Sequence, residues 1–301
     1  MSKIHKFIIA CAALLCTLAA PAQENLSALI PIPNSIKTDN RRTFQINSGT
    51  AIKSNLRQDA FVIKELERIV DRHTGIALKN DNSRKKNIIE LTVDTTLHGQ
   101  EHYMLTVDKK GIAIKGASEG ALLWGVQTLD QILTGDTHNT AQGKVAHIAI
   151  DDAPRYPYRA IMLDPARHFI PVKDVKFFID QMVRFKFNVL QLHLTDDQGW
   201  RIEIKSHPEL TATTAQRKPG ASPQGPDNGY YTQEDIKEII AYAAQRGIEV
   251  IPELDIPGHS VAILAAHPEL GCGFRQEEKK NLGNTTNMML CAAEEEVYNI
   301  Y

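Results

Sequence analysis

Neither sign of charge is in excess: 34 lysines and arginines stand against 36 aspartates and glutamates. That balance removes the electrostatic case for nucleic acid or an anionic membrane surface as partner. A long hydrophobic run is also missing. The nearest approach, Phe7 to Ala20, follows Lys3 and Lys6 and ends at Ala20-Pro21-Ala22, a small-x-small cleavage pattern before Gln23. Its length and flanks fit a secretory signal over residues 1–22 rather than a spanning helix. The mature protein is expected to be exported to a bacterial periplasm, the outer membrane or beyond. Ile8-Ile9-Ala10-Cys11 looks like a lipobox, although almost nothing apolar precedes it.

Cysteine is scarce as well. Cys11 and Cys16 leave with the signal, and Cys272 and Cys291 remain. Two thiols fall short of the four ligands of a structural zinc site, and nothing marks either as a nucleophile. In an oxidising compartment the pair suits one loop-stapling disulfide.

The length suggests two domains. From residue 23 to about 153 the pattern is a small α+β domain. Ile30 to Ile36 is a proline-punctuated extended segment. Val62, Leu66, Ile69 and Val70 share a helical face that Gly75 ends, and Leu122, Val126, Leu129 and Leu133 mark a second helix. Ile88–Val93 is β-rich, and Tyr103–Val107 turns through Asp108-Lys109-Lys110-Gly111 into Ile112–Ile114 as a hairpin. The prolines Pro154 and Pro157 mark the boundary.

After it the rhythm becomes strand, helix, strand, helix, strand. Arg159–Asp164 is the first strand. Pro171 opens a helix whose inner face is Val172, Val175, Phe178, Ile179, Met182 and Phe185. Asn188–Thr195 is the second strand. His207–Tyr231 reads as one long loop, carrying Pro208, Pro219, Pro223 and Pro226, of the kind that serves as a lid or binding segment. Thr232-Gln233-Glu234-Asp235 is a capping box that starts a helix with Ile236, Ile239, Ile240 and Ala243 inward. Gly247 stops it, and Ile248–Leu254 is the third strand. Glu294 onward reads as the opening turns of a further helix. Such alternation gives an α/β fold with a parallel sheet. The polar strand ends favour the start of a (β/α)8 TIM barrel, over residues 154–301, with about three of its eight strands present.

The second strand carries the chemistry. Leu190, Leu192 and Leu194 alternate with Gln191, His193 and Thr195, then come Asp196, Asp197, Gly199 and Trp200. A buried parallel strand is normally apolar on both faces, so a polar row suggests a lined site. Glu249, Glu253 and Asp255 keep one parity on the third strand, and His259 follows. The first strand offers Arg159, Asp164 and Arg167-His168. Arginine and carboxylates hydrogen-bond hydroxyls and an indole stacks on a pyranose, so a sugar suits this mouth. The plainer reading stays open for each residue. Asp196 or Asp197 can be a cap, His193 an interior histidine, and Asp164 and Arg167 partners of each other. Trp200 serves packing as well as stacking.

YRAIMLDPARHF, NVLQLHLTDDQGWRIEI, GYYTQEDIKEIIAYAAQRGIEVIPELDIPGHS and LCAAEEEVY together resemble the family-20 glycoside hydrolases, the β-N-acetylhexosaminidases. The resemblance runs from about Ile30 to the end, and HLTDDQGW joined to DIPGHS is its most specific part. It implies an exo-acting enzyme that releases terminal β-linked GlcNAc or GalNAc from glycans or oligosaccharides. The sugar's own 2-acetamido oxygen would act as nucleophile with retention, and no cofactor and no metal would be needed. It further implies that Arg159 binds sugar hydroxyls; His193 and Glu253, from the polar strand ends, are further substrate-binding candidates. Asp196 and His259 would support a catalytic glutamate. The family's Asp-Glu pair, in a Gly-Gly-Asp-Glu context, does not occur in these 301 residues and is expected beyond residue 301. The chain therefore reads as an amino-terminal fragment, inactive alone. The alternatives are an inactive sugar-binding remnant and, from another class, a metal-dependent hydrolase using His193, Asp196 and His259, a spacing that matches no standard ligand set.

Overall fold

A computed structural model describes residues 29–135, 143–214, 228–272 and 289–300. The signal at 1–22 and the stretch 215–227 of the long loop lie outside the described residues. The chain divides after Ala153 into two compact units.

The first unit is a seven-stranded mixed sheet with two helices. Its elements are β1 (Ser35–Gln45), β2 (Ala51–Ser54), α1 (Phe61–Thr74), β3 (Lys79–Asn80), β4 (Ile88–Val93), β5 (Tyr103–Asp108), β6 (Gly111–Gly116), α2 (Glu119–Gly135) and β7 (Lys144–Asp152). The order across the sheet is β1-β7-β5-β6-β4-β2-β3. The hairpin pairs Asp108 with Gly111, where the sequence turns. Helix α2 packs across β4 to β7 and α1 packs on α2, burying Ile63, Leu66, Ile69, Val126 and Leu129 against Ile89, Leu91, Leu105 and Ile114. Gly75 ends α1 in the left-handed region, φ 68°, where a Cβ would be strained. Strand β1 is polar along most of its length because it forms one edge, paired only to β7.

The second unit is built on β8 (Ala160–Leu163), β9 (Val189–His193) and β12 (Glu249–Glu253), all parallel, with β9 in the middle. Helix α3 (Val172–Arg184) connects β8 to β9. After β9 come the short strands β10 (Thr195–Asp196) and β11 (Gly199–Trp200), then α4 (Glu209–Thr214) and α5 (Gln233–Ala244). Beyond β12 lie α6 (Val261–Ala266), a 3-10 turn (Pro268–Leu270) and α7 (Glu295–Ile300). Strands that neighbour each other in sequence order are the beginning of a barrel rather than of a doubly wound sheet, whose order reverses. Thr232 and Asp235 form the capping box in both directions.

Three expectations need correction. Phe185 is not on the inner face of α3: the helix ends at Arg184, and Phe185, its C-cap, leaves the helical track 37% exposed. Ile240 is 46% exposed, because Ile239 and Ala243 already occupy the buried stripe of α5 and the next residue lies a quarter-turn away. The long loop opens with a helix, α4, too short to show a period in sequence but anchored by fully buried Leu210. Cys272 and Cys291 are disulfide-bonded. No helix among the described residues is long and apolar enough to cross a membrane.

Candidate active site

The carboxyl ends of β8, β9 and β12 meet around Asp196. Strand β9 ends at His193. Two residues on, Thr195 and Asp196 pair with Trp200 and Gly199, a tight antiparallel turn that folds Asp196 back over the strand end. Gly199 is needed there because a Cβ would lie 2.5 Å from the Arg201 guanidinium carbon. Arg201 is itself fully buried, donating to the Ala166 and Gly229 carbonyls and tying the loop after β8 to the segment before α5. Nothing in WRIE marks it as buried from the sequence.

Asp196 is 1% exposed and receives contacts on both oxygens. His193 Nε2 lies 2.8 Å from Oδ2 and Arg167 Nη2 2.6 Å from the same atom. The Asp197 amide donates to Oδ1 at 2.6 Å, and His259 Nδ1 is 3.1 Å from Oδ1. Burial would raise this carboxyl. The bonds from His193 and the Asp197 amide, with the charges of Arg167 and His259, outweigh it and hold the pKa below the usual aspartate range. Asp197 goes the other way: burial and the Asp196 charge raise it, against the Val261 amide that donates to it at 3.2 Å. Two adjacent carboxyls with pKa values pushed apart are a recognised mark of an acid-base site.

The remaining residues support this centre. His193 is 4% exposed and lies beneath the mouth rather than at its surface, with Nε2 on Asp196. Its Nδ1 sits 3.0 Å from Glu253 Oε1, outside hydrogen-bonding geometry. Burial disfavours a charged His193, but its contacts with Asp196 and Glu253 and the nearby charge of Asp164 raise its pKa overall. Glu253 is half-buried and also accepts from Gln191. The Asp255 amide donates to Thr195 Oγ1 at 2.9 Å, fastening β12 to the turn after β9.

Arg159 is not brought to the site. It precedes β8, and the amides of Asn188 and Val189 donate to its carbonyl at the amino ends of the strands. Its side chain donates to the Lys186 carbonyl at 2.7 Å and the Tyr156 carbonyl at 2.8 Å. The strand β8 separates it from the carboxyl ends by roughly 13 Å at about 3.3 Å per residue. Arg167 stands at the mouth instead, held by Asp164 at 2.6 Å and by Asp196, with its side chain 41% exposed. The hydrogen bond to Asp164 raises its pKa further above the ordinary arginine value. Trp200 packs: it is 1% exposed in a cluster with Leu210, Ile263, Leu264, Leu270, Leu290 and Val297, and its N–H donates to the Ile202 carbonyl. His193 and His259 take opposite oxygens of Asp196, so His193, Asp196 and His259 do not converge as one donor set.

Two family models match the chain. "Glycosyl hydrolase family 20, domain 2" matches residues 26–153, and "Glycosyl hydrolase family 20, catalytic domain" matches residues 156–301. A beta-hexosaminidase of Porphyromonas gingivalis is 35% identical over 90% of this chain and 35% of its own length. The solved β-N-acetylhexosaminidase of Streptomyces coelicolor superposes with a TM-score of 0.81 at 35% identity, covering 91% of this chain and 56% of that one. The exo β-N-acetylglucosaminidase of Vibrio harveyi, solved in complex with N-acetylglucosamine, gives 0.70 at 35% identity, covering 82% and 39%. The chain thus spans between about a fifth and about a half of the length of the curated relatives it matches.

Proposed function

Because the chain belongs to glycosyl hydrolase family 20, we propose that its protein is an exported exo-β-N-acetylhexosaminidase removing terminal β-linked GlcNAc or GalNAc. On this reading the 2-acetamido oxygen of the bound sugar attacks the anomeric carbon, and configuration is retained. Arg167 binds hydroxyls of the terminal sugar. Asp196, fixed by His193, Arg167 and the Asp197 amide, orients His259, whose ring then steadies the acid that protonates the leaving oxygen. The family's Gly-Gly-Asp-Glu motif is not among these 301 residues. Export is supported by the basic, apolar and small-residue order at 1–22.

One observation carries the reading: a buried carboxylate held on both oxygens, at the carboxyl ends of three consecutive parallel strands. The test is hydrolysis by the whole protein of a 4-nitrophenyl N-acetyl-β-glucosaminide against the matching β-glucoside without the acetamido group. Release from the first only supports the proposal, and equal release from both rules out substrate assistance. The absence of Gly-Gly-Asp-Glu within the 301 residues favours a second reading for the chain by itself, a sugar-binding remnant. Calorimetric binding of N-acetylglucosamine without turnover by this chain would support that.

A further inference from the structure

Of three clusters of potential metal-donor side chains among the described residues, two lie at the strand ends, His193 with Glu253 and Asp255 and Asp196 with Asp197 and His259, and the third lies apart from them. His207 precedes α4, Glu209 begins it, and His267 follows the last residue of α6. Glu209 Oε1 is 3.1 Å from His207 Nδ1 and 2.9 Å from His267 Nε2. The two imidazoles stand edge to face, their centroids 5.9 Å apart. All three residues are half-buried, and their donor atoms lie within 4.8 Å of one another.

A neutral imidazole donates from one nitrogen and accepts at the other, while a carboxylate only accepts. His267 turns both nitrogens to carboxylates, Nε2 to Glu209 and Nδ1 to Glu269 Oε1 at 3.1 Å. This placement suits a cation at Nε2: Nδ1–H would donate to Glu269 while the Nε2 lone pair ligates. Ligating histidines are generally oriented in this way, by a carboxylate behind the ring.

We propose that His207 Nδ1, Glu209 Oε1 and His267 Nε2 bind a divalent transition metal of the zinc type, with Glu269 orienting His267. Two imidazoles and one carboxylate are a donor set that suits zinc and not magnesium or calcium, and a fourth position remains for water. Donors around tetrahedral zinc, with bonds near 2.0–2.1 Å, are roughly 3.4 Å apart. The spacings of 2.9 and 3.1 Å need only a few tenths of an ångström of spreading. The metal would clamp the segment before α4 to the segment after α6, at the edge of the cluster that holds Trp200, Leu210 and Leu270.

The test is calorimetric titration of the metal-free purified protein with zinc chloride, together with its melting temperature with and without zinc. The expected result is one zinc per chain, a raised melting temperature, and binding weakened at least tenfold by His207→Gln or His267→Gln. Glu269→Gln, which leaves every ligand in place, should weaken binding about tenfold or more with an unchanged circular dichroism spectrum. Absence of saturable zinc binding overturns the proposal. So does binding that persists in all three variants but is lost in His193→Gln or Asp196→Asn, since the metal would then sit at the strand ends.

Discussion

His259 reaches Asp196, 3.1 Å from Nδ1 to Oδ1, from a backbone in the left-handed region at φ 50°. A residue with a side chain adopts that conformation at a cost of order 1 kcal/mol or more, and keeps it where the surroundings impose it. Here Ser260 caps the turn by donating to the Pro257 and Gly258 carbonyls, and the Val261 amide holds Asp197. The imidazole is half-exposed over a carboxylate that is not, the arrangement expected of a group that faces a partner outside the turn.

Removing the Asp196 carboxylate leaves the ring of His193 and the guanidinium of Arg167 without their shared acceptor. Asp196→Ala is expected to lower unfolding free energy by about 3 kcal/mol, in the range for breaking a buried charged pair. Urea denaturation checks it, and a loss under about 0.5 kcal/mol would show Asp196 to be no more than a surface charge.

The two arginines should separate by readout. Arg167→Ala is expected to raise KM for the aryl N-acetylglucosaminide about ten- to a hundredfold, the worth of one charge-assisted hydrogen bond at about 1.5–3 kcal/mol. Arg159→Ala removes the donor to the Lys186 and Tyr156 carbonyls. It should lower the melting temperature with KM unchanged. The reverse pattern restores Arg159 to the site.

The pKa shifts give a signed pH dependence. His193 is raised, so its stabilisation is complete below the ordinary histidine value of about 6.5 and is lost as pH rises through the higher folded value. Asp196 is lowered, so its share is complete above the ordinary aspartate value and is lost as pH falls through the folded one. Asp197 is raised, and its ionisation costs stability above its folded value. The stability difference between the native protein and His193→Gln should therefore be largest near about pH 6 and shrink toward about pH 9. A difference that grows with pH contradicts the assignment.

The Cys272–Cys291 bond closes a loop of sequence separation 19. Cys272→Ser is expected to cost about 3 kcal/mol by the loop-entropy scale. Melting with and without reductant measures it, and equal values would show the bond to be absent in solution.

Much of this was legible in the sequence. Period-two alternation in Asn188–Thr195 identified β9 and its polar face, and the Thr232–Asp235 box identified the start of α5. Strand direction decides the place of Arg159. A residue before a strand and one after it are close in sequence yet lie at opposite ends of the sheet, and Arg167, eight positions later, takes the mouth. Burial was the other gap. Trp200 and Arg201 sit next to two carboxylates in sequence, and only three-dimensional packing turns them inward. The site around Glu209 could not be read at all, because α4 and α6 bring His207 and His267 together across 58 residues from Glu209 to His267.

The most direct measurement is a double-mutant cycle on the whole protein with Asp196→Asn and His259→Ala, reading kcat/KM on an aryl N-acetyl-β-glucosaminide. If Asp196 acts through His259, the double variant should be no slower than the worse single one, a coupling of at least about 1.4 kcal/mol or tenfold. Losses that multiply would mean the two residues act independently, and the central claim of a positioned pair would fail.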